Sequence, residues 1–186
     1  MGEEIGKLRK FALVTGGSRG IGRAICIQLA KDTDYHILIN YQSNKQAAEE
    51  TLREVISIGG QGELIPFDVV DADSVISSLD QWQENNKEAI IEVIVNNAGI
   101  NRDGLFMWMK PEDWNAVINT SLNGFFNVTN HLIQKLLVNK YGRIINMVSL
   151  SGVKGTAGQT NYSAAKGAVV AATKALTQEV TKRNVT

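Results

Sequence analysis

Three side chains late in the chain have the types and spacing to place a proton on a carbonyl oxygen. Tyr162 and Lys166 are four residues apart, so on a helix they share one face. A free phenol has a pKa of about 10, and a neighbouring ammonium favours its ionised form. Tuning a phenol to work near neutral pH takes roughly 4 kcal/mol of differential interaction, which suits a desolvated charge pair. Ser149 precedes the pair and is suited to hydrogen-bond the same carbonyl oxygen. A Tyr-x-x-x-Lys pair alone is common on exposed helices. Its weight here comes from the order in which the other motifs accompany it.

The first of these is Thr15-Gly16-Gly17-Ser18-Arg19-Gly20-Ile21-Gly22. Glycine tolerates the positive φ or close backbone approach of a sharp strand-to-helix turn, and the helix start then offers unpaired N–H groups to a phosphate. The spacing is GxxxGxG, not the commoner GxGxxG. Sites that accept NAD place an acid on the ribose about 20 residues further on. Ile39-Asn40-Tyr41-Gln42-Ser43 contains none. That absence, with Arg19 in the turn, favours NADP(H), although Arg19 also reads as a solvated surface arginine. Asp68 and Val69 suit an adenine edge, with capping of the following helix as the other reading for Asp68. Asn96-Asn97-Ala98-Gly99 suits a backbone lining that hugs a ligand.

These residues need a frame. Short β-branched runs at Phe11–Thr15, His36–Tyr41, Glu63–Asp68, Ile91–Asn96 and Gly142–Val148 lack in/out alternation, the pattern of strands buried on both faces. Helical patterns lie between them at Ile21–Lys31, Lys45–Ile58, Ala72–Asn86, Pro111–Leu137 and Ser163–Arg183. Ser43 and Gln46 have the capping-box form, Pro111 with Glu112 and Asp113 suits a first helical turn, and Gly59, Gly60 and Gly62 mark a turn. The alternation predicts an α/β fold: one doubly wound parallel sheet in a single domain over 1–186. Such sheets bind ligands beyond the carboxyl ends of their strands, where the motifs above fall.

Composition narrows the function. The chain has 186 residues, 19 Lys+Arg and 19 Asp+Glu, so its zero net charge offers no basic field to nucleic acid or an anionic membrane. No apolar run reaches the ~18 residues of a membrane span, and the opening MGEEIGKLRK has no apolar leader core. The single cysteine, Cys26, excludes an intrachain disulfide and fits a reducing cytoplasm. Cys26 lies on the apolar pattern of the first helix and reads as a small core residue. His36 and His131 have no partner at metal-ligand spacing, so no metal is expected. Met107-Trp108-Met109 borders a substrate entrance or packs in the interior or an interface. The small residues of the last helix, Ala164 to Ala175, permit close helix approach.

TGGSRGIG, NNAG, Ser149 and YSAAK resemble the short-chain dehydrogenase/reductases. NNAGINRDGLFMWMKPEDW and YGRIINMVSLSG are similar to the family's bacterial 3-oxoacyl-[acyl-carrier-protein] reductases. The resemblance runs from about Lys10 to the last residue. It implies a Rossmann fold and NADPH-dependent reduction of a 3-oxoacyl thioester, held on acyl carrier protein, in fatty acid synthesis. It also implies assembly into dimers or tetramers. Carried over residue by residue, Ser149 orients the carbonyl, Tyr162 donates the proton, and Lys166 supports Tyr162 and holds the nicotinamide ribose. Gly16, Ser18, Arg19, Gly20, Ile21 and Gly22 contact the phosphates and adenosine side. Asp68 and Val69 hold adenine, and Asn96, Ala98 and Gly99 line the cofactor. Lys140 and Arg183 fall at basic carrier-protein docking positions and read equally as solvated charges.

Two features depart from that pattern. The family's fourth catalytic residue is an Asn, and Ser121 stands there, with Asn119 and Asn123 two positions away on either side. In the family that position helps hold a water that passes protons to the lysine; a main-chain carbonyl serves this whatever the side chain. Asn184-Val185-Thr186 reads as the start of a strand, and the family continues through further strands and a substrate-covering loop. The expectation is therefore a domain lacking its C-terminal strands, with the fifth strand an apolar edge. Other readings are an acetoacetyl-CoA reductase, a reductase of sugars, steroids or xenobiotic ketones, and a non-catalytic NADP(H)-binding scaffold. Retention of Ser149, Tyr162 and Lys166 argues against the last.

Overall fold

The structure, a computed structural model, describes residues 9–186, so the N-terminal reading of residues 1–8 lies outside the described residues. Five strands, β1 (Arg9–Val14), β2 (His36–Tyr41), β3 (Gly62–Pro66), β4 (Ala89–Asn96) and β5 (Arg143–Asn146), form one sheet in the order β3-β2-β1-β4-β5. Every neighbouring pair is parallel. The order reverses direction at β1, between β2 and β4. This is the expected α/β Rossmann-type sheet, and the reversal opens a crevice at the carboxyl ends of β1 and β4.

Alternate β1 residues serve opposite layers. Phe11 and Leu13 join a core with Ile94, Val75, Leu79, Val128 and Leu132. That layer lies under α3 (Ala72–Asn85), α5 (Gly124–Asn139) and α7 (Thr160–Val180). Ala12 and Val14 join Cys26, Ile39, Val55, Val93 and Val95 under α1 (Gly20–Asp32) and α2 (Lys45–Ser57). Phe11 pairs with Ile91 but Ala12 with Val93, so Glu92 is an extra, bulged residue. The buried Glu92 carboxylate meets Lys10 Nζ at 3.1 Å and accepts from Tyr35 Oη at 2.9 Å. Burial, and after it that carboxylate, push the Tyr35 phenol well above its usual range.

Several boundaries differ from expectation for local reasons. β3 stops at Pro66 because the chain turns at Asp68, whose Oδ1 accepts from Val70 N at 2.9 Å. β5 stops at Asn146 because the next carbonyl, of Met147, is taken by a side chain instead of a strand. The cap of α2 is Asn44, whose Oδ1 accepts from Ala47 N at 3.0 Å, so the Ser43/Gln46 capping box is not formed. The α3 cap is Asp71, which corrects the alternative reading of Asp68 as a cap. The expected helix Pro111–Leu137 is α4 (Pro111–Ile118) and α5 joined by a π turn over Asn119–Asn123. There Gly124 N bonds five residues back to Asn119 O. At the outer edge of β5, Val185 bridges Gly142 in parallel and Ile144 N donates to Thr186 O at 2.8 Å. The last residues therefore pair with the edge of β5 through a single parallel bridge, where their sequence suggests a strand.

Candidate active site

A cleft of about 790 Å³ opens at the carboxyl ends of the strands. Gly16, Ser18, Arg19, Gly20, Ile21 and Gly22 line it from β1, and Asp68 and Val69 from β3. Ala98 and Gly99 line it after β4, and Tyr162 and Lys166 from α7. Twelve of the residues singled out by sequence thus face one space. Asn96 is set back from it, where its Nδ2 donates to Thr129 Oγ1 at 2.9 Å and Asn146 Oδ1 at 2.8 Å. Its neighbours do the lining that sequence assigned to it.

The glycine turn is packed on one side and open on the other. A Cβ on Gly22 would stand 2.2 Å from Gly16 O and 2.6 Å from Asn97 Nδ2. Gly20 has φ +57 and nothing within 4 Å of a Cβ, so its face is free for a ligand. Asn97 Nδ2 donates to Thr15 O at 2.9 Å and Gly16 O at 3.2 Å. Asn40, at the end of β2, accepts from Gly16 N through Oδ1 at 3.1 Å. Its Nδ2 donates to Ile65 O and Phe67 O. Arg23 holds the turn from outside, donating to Ser18 O at 3.0 Å and pairing with Glu50 and Glu54 of α2. Arg19 is exposed and no side chain caps α1, so its first N–H groups face the cleft without a side-chain partner.

Ser149, Tyr162 and Lys166, the catalytic set expected from sequence, lie after β5 and on α7. Tyr162 lies in the first turn of α7, which begins at Thr160, earlier than sequence suggested. Lys166, one turn on, is only 6% exposed, and its Nζ donates to Met147 O at 2.7 Å. Burial lowers its pKa from the ordinary 10.5. Its ammonium lies 5.8 Å from the centroid of the Tyr162 ring. Ser149 follows Val148, which lines the cleft, and its Oγ accepts from Ser151 N at 3.2 Å. Ser151 opens α6 (Ser151–Lys154), which meets α7 through Gly152 and Gly167. A Cβ on Gly152 would be 2.7 Å from Gly167 N. Ser121 is buried in the π turn, its Oγ without a hydrogen-bond partner. A Cβ on Gly99 would stand 3.6 Å from both Ser121 Oγ and Lys166 Nζ, so the hydroxyl and the ammonium flank the same glycine.

A family profile described as short chain dehydrogenase matches residues 10–186. The chain belongs to the short-chain dehydrogenase family. It is 43% identical over 177 residues to a Synechocystis 3-oxoacyl-[acyl-carrier-protein] reductase, covering 95% of this chain and 70% of that protein. It is 40% identical over 180 residues to the Staphylococcus aureus reductase FabG, covering 97% and 72%. It is 40% identical over 178 residues to an acetoacetyl-CoA reductase of Cupriavidus necator, covering 96% and 71%. A gluconate 5-dehydrogenase from Burkholderia cenocepacia, solved with NADP and tartrate, superposes with a TM-score of 0.87 at 30% identity. That match covers 95% of this chain and 68% of the other.

In this short-chain dehydrogenase several site-building residues escaped sequence reasoning. Asn40 and Arg23 act through main-chain carbonyls, which no residue spacing announces, whereas Asn97, read from sequence within the backbone lining, braces Thr15 O and Gly16 O. Gln159 and Asn161, just before Tyr162, bond to Asp103 Oδ2 and Arg102 O of the loop after β4. Met107 and Trp108 are 76% and 70% exposed, so the interior-packing reading of that segment does not hold. Cys26 is fully buried as expected, and desolvation pushes its thiol up to about 12. Among the described residues no three His, Cys, Asp or Glu side chains cluster as metal ligands. No described helix is long and apolar enough to cross a membrane.

Proposed function

We propose that this chain uses NADPH to reduce a 3-oxoacyl thioester, carried on acyl carrier protein, to the 3-hydroxyacyl thioester. The observation that carries the reading is Tyr162 and the anchored Lys166 meeting the glycine turn across one cleft. The cleft fits a dinucleotide: Gly20 presents open backbone, α1 starts beneath it, Gly22 leaves no room for a side chain, and Gly16 turns at φ +62. NADPH fits better than NADH because the end of β2 offers Asn40, Tyr41, Gln42 and Ser43 and no acid. Gln42 Nε2 also engages Asp68 Oδ2 at 2.8 Å. The structural relative solved with NADP supports this choice, and the relatives named as 3-oxoacyl reductases support the substrate class.

When bound, the nicotinamide supplies the hydride. In this reading the glycine turn with Ser18, Arg19 and Ile21 binds the phosphates, Asp68 and Val69 the adenine, and Ala98 and Gly99 the inner cofactor. Ser149 orients the substrate oxygen and Tyr162 gives it a proton. Lys166 keeps a cation beside Tyr162 where little water competes. Ser121 is a further polar group near that ammonium, beside Gly99. Self-association through α5 and α7 fits the exposed Phe126, Ala164, Ala171 and Ala175. A cytoplasmic setting fits the buried free thiol of Cys26.

Lys140, the left-handed cap of α5, and Arg183 are exposed and suit an acidic carrier protein. A CoA thioester is the second reading, favoured by the acetoacetyl-CoA reductase relative. Comparing kcat/KM on acetoacetyl groups carried by the two carriers decides between them. Carrier-protein preference that falls on Lys140→Glu or Arg183→Glu, with the CoA rate unchanged, supports the first. Equal or better CoA rates, insensitive to both substitutions, support the second.

A further inference from the structure

Tyr162 sits in the first turn of a helix, where N–H groups lack internal partners and the backbone frays most readily. No side chain caps α7 through its N-cap residue, Gln159. The turn is held instead by Asn161, which is 0% exposed. Its Nδ2 donates to Arg102 O at 2.9 Å and to Asp113 O at 3.4 Å. Its Oδ1 accepts from Tyr162 N at 2.8 Å. Both donors and the acceptor of one amide are thereby engaged.

Those partners belong to three elements. Arg102 is in the loop after β4 and lines the cleft, Asp113 is in the first turn of α4, and Tyr162 opens α7. Two other clasps join the same loops. Gln159 Nε2 donates to Asp103 Oδ2 at 2.9 Å, and Gly104 N to Gly158 O at 2.8 Å. The Gln159–Asp103 bond is exposed, so water can replace it. Asn161 has no such substitute: without its amide, two main-chain carbonyls and the Tyr162 N–H lose a buried partner. Lys166 keeps its own anchor at Met147 O on the far side of the site.

We infer that Asn161 is a positioning residue that fixes the Tyr162 side chain against the cleft. The inference rests on the reading of Tyr162 as proton donor. Asn161 makes no bond to the glycine turn, so its loss acts on the chemical step and not on cofactor affinity.

The test measures kcat with acetoacetyl thioester and the Kd for NADPH in four full-length proteins: wild type, Asn161→Ala, Tyr162→Phe and the double variant. The expected result is a kcat drop of about tenfold or more for Asn161→Ala, as small misplacements of a reacting group produce. The NADPH Kd stays within about twofold, and Asn161→Ala adds no further loss in the Tyr162→Phe background, because coupled residues are non-additive. The inference is overturned if kcat for Asn161→Ala stays within about twofold of wild type. It is also overturned if cofactor affinity falls in parallel, or if the loss is equal in both backgrounds. Asn161→Ser, which keeps an oxygen for Tyr162 N, replaces Asn161→Ala should the latter not fold, with the same two outcomes. Wild-type turnover by Tyr162→Phe alone would overturn the proton-donor reading itself, before any Asn161 variant is considered.

Discussion

Replacing Gly22 by alanine tests the tightest contact in the cofactor turn. The new methyl would sit 2.2 Å from Gly16 O, 2.9 Å from Gly16 C and 2.6 Å from Asn97 Nδ2. Two of these atoms are backbone, so relief requires moving the strand-to-helix turn or displacing Asn97. Displacing Asn97 breaks its bonds to Thr15 O and Gly16 O. Each such bond contributes about 1 kcal/mol net, and overpacking of this kind costs about 1–3 kcal/mol. The expected loss is therefore roughly 3–5 kcal/mol of unfolding free energy. Equilibrium urea unfolding measures it, and titration with NADPH measures the accompanying loss of affinity. Gly59→Ala is the control: Gly59 has φ +84 and nothing within 4 Å of a Cβ, away from the cleft. It should lose only about 1–2 kcal/mol of backbone strain and bind NADPH as wild type does. A Gly22→Ala protein as stable as wild type, or one with unchanged NADPH affinity, would refute the role given to this packing.

Three further predictions follow from the same geometry. Cys26, buried against Gly17 with its thiol pushed up to about 12, should resist thiol reagents in the native protein and react on unfolding; native labelling at neutral pH would contradict its placement. Lys166 titrates lower in the folded than in the unfolded chain, so the unfolded state binds more protons between the two values. Unfolding free energy should rise with pH in the window just below 10.5, and Lys166→Met should remove that rise; an unchanged slope would show that Lys166 is not its source. Ser121→Ala removes a buried hydroxyl that has no protein partner, so stability should hold or improve by about 1 kcal/mol on urea unfolding; a clear loss of stability would show that the hydroxyl is engaged in the folded protein.

The sheet was legible because five β-branched runs alternate with amphipathic helices, and a strand buried on both faces has few other homes. β2 was read to the residue. Where local competition decides, sequence was a weaker guide. Ser43 and Asn44 are adjacent good caps, and only the structure shows Asn44 used. The π turn at Asn119–Asn123 has no signature in a pattern of helical period, although Thr120 back-bonding to Ala116 O at 2.8 Å accompanies it. Within the site, residues that line the cleft were readable from motif and order: Tyr162, Lys166 and the glycine turn. Residues that hold the site together were not. Asn40, Arg23 and Asn161 act by bonding main-chain carbonyls across 5 to 59 positions of sequence. Asn96 shows the same limit from the other side, since its type suits the cleft but its side chain braces β4 to β5 and α5.

The central claim is that Tyr162 delivers the proton while the rest of the cleft binds the cofactor. It is tested most directly by following NADPH consumption with acetoacetyl thioester in wild type and Tyr162→Phe, with NADPH affinity measured on both. The account predicts turnover by wild type, loss of about 10²-fold or more in kcat on removing the hydroxyl, and NADPH binding preserved. Wild-type turnover in the phenylalanine variant, or no turnover by wild type with NADPH firmly bound, would contradict it.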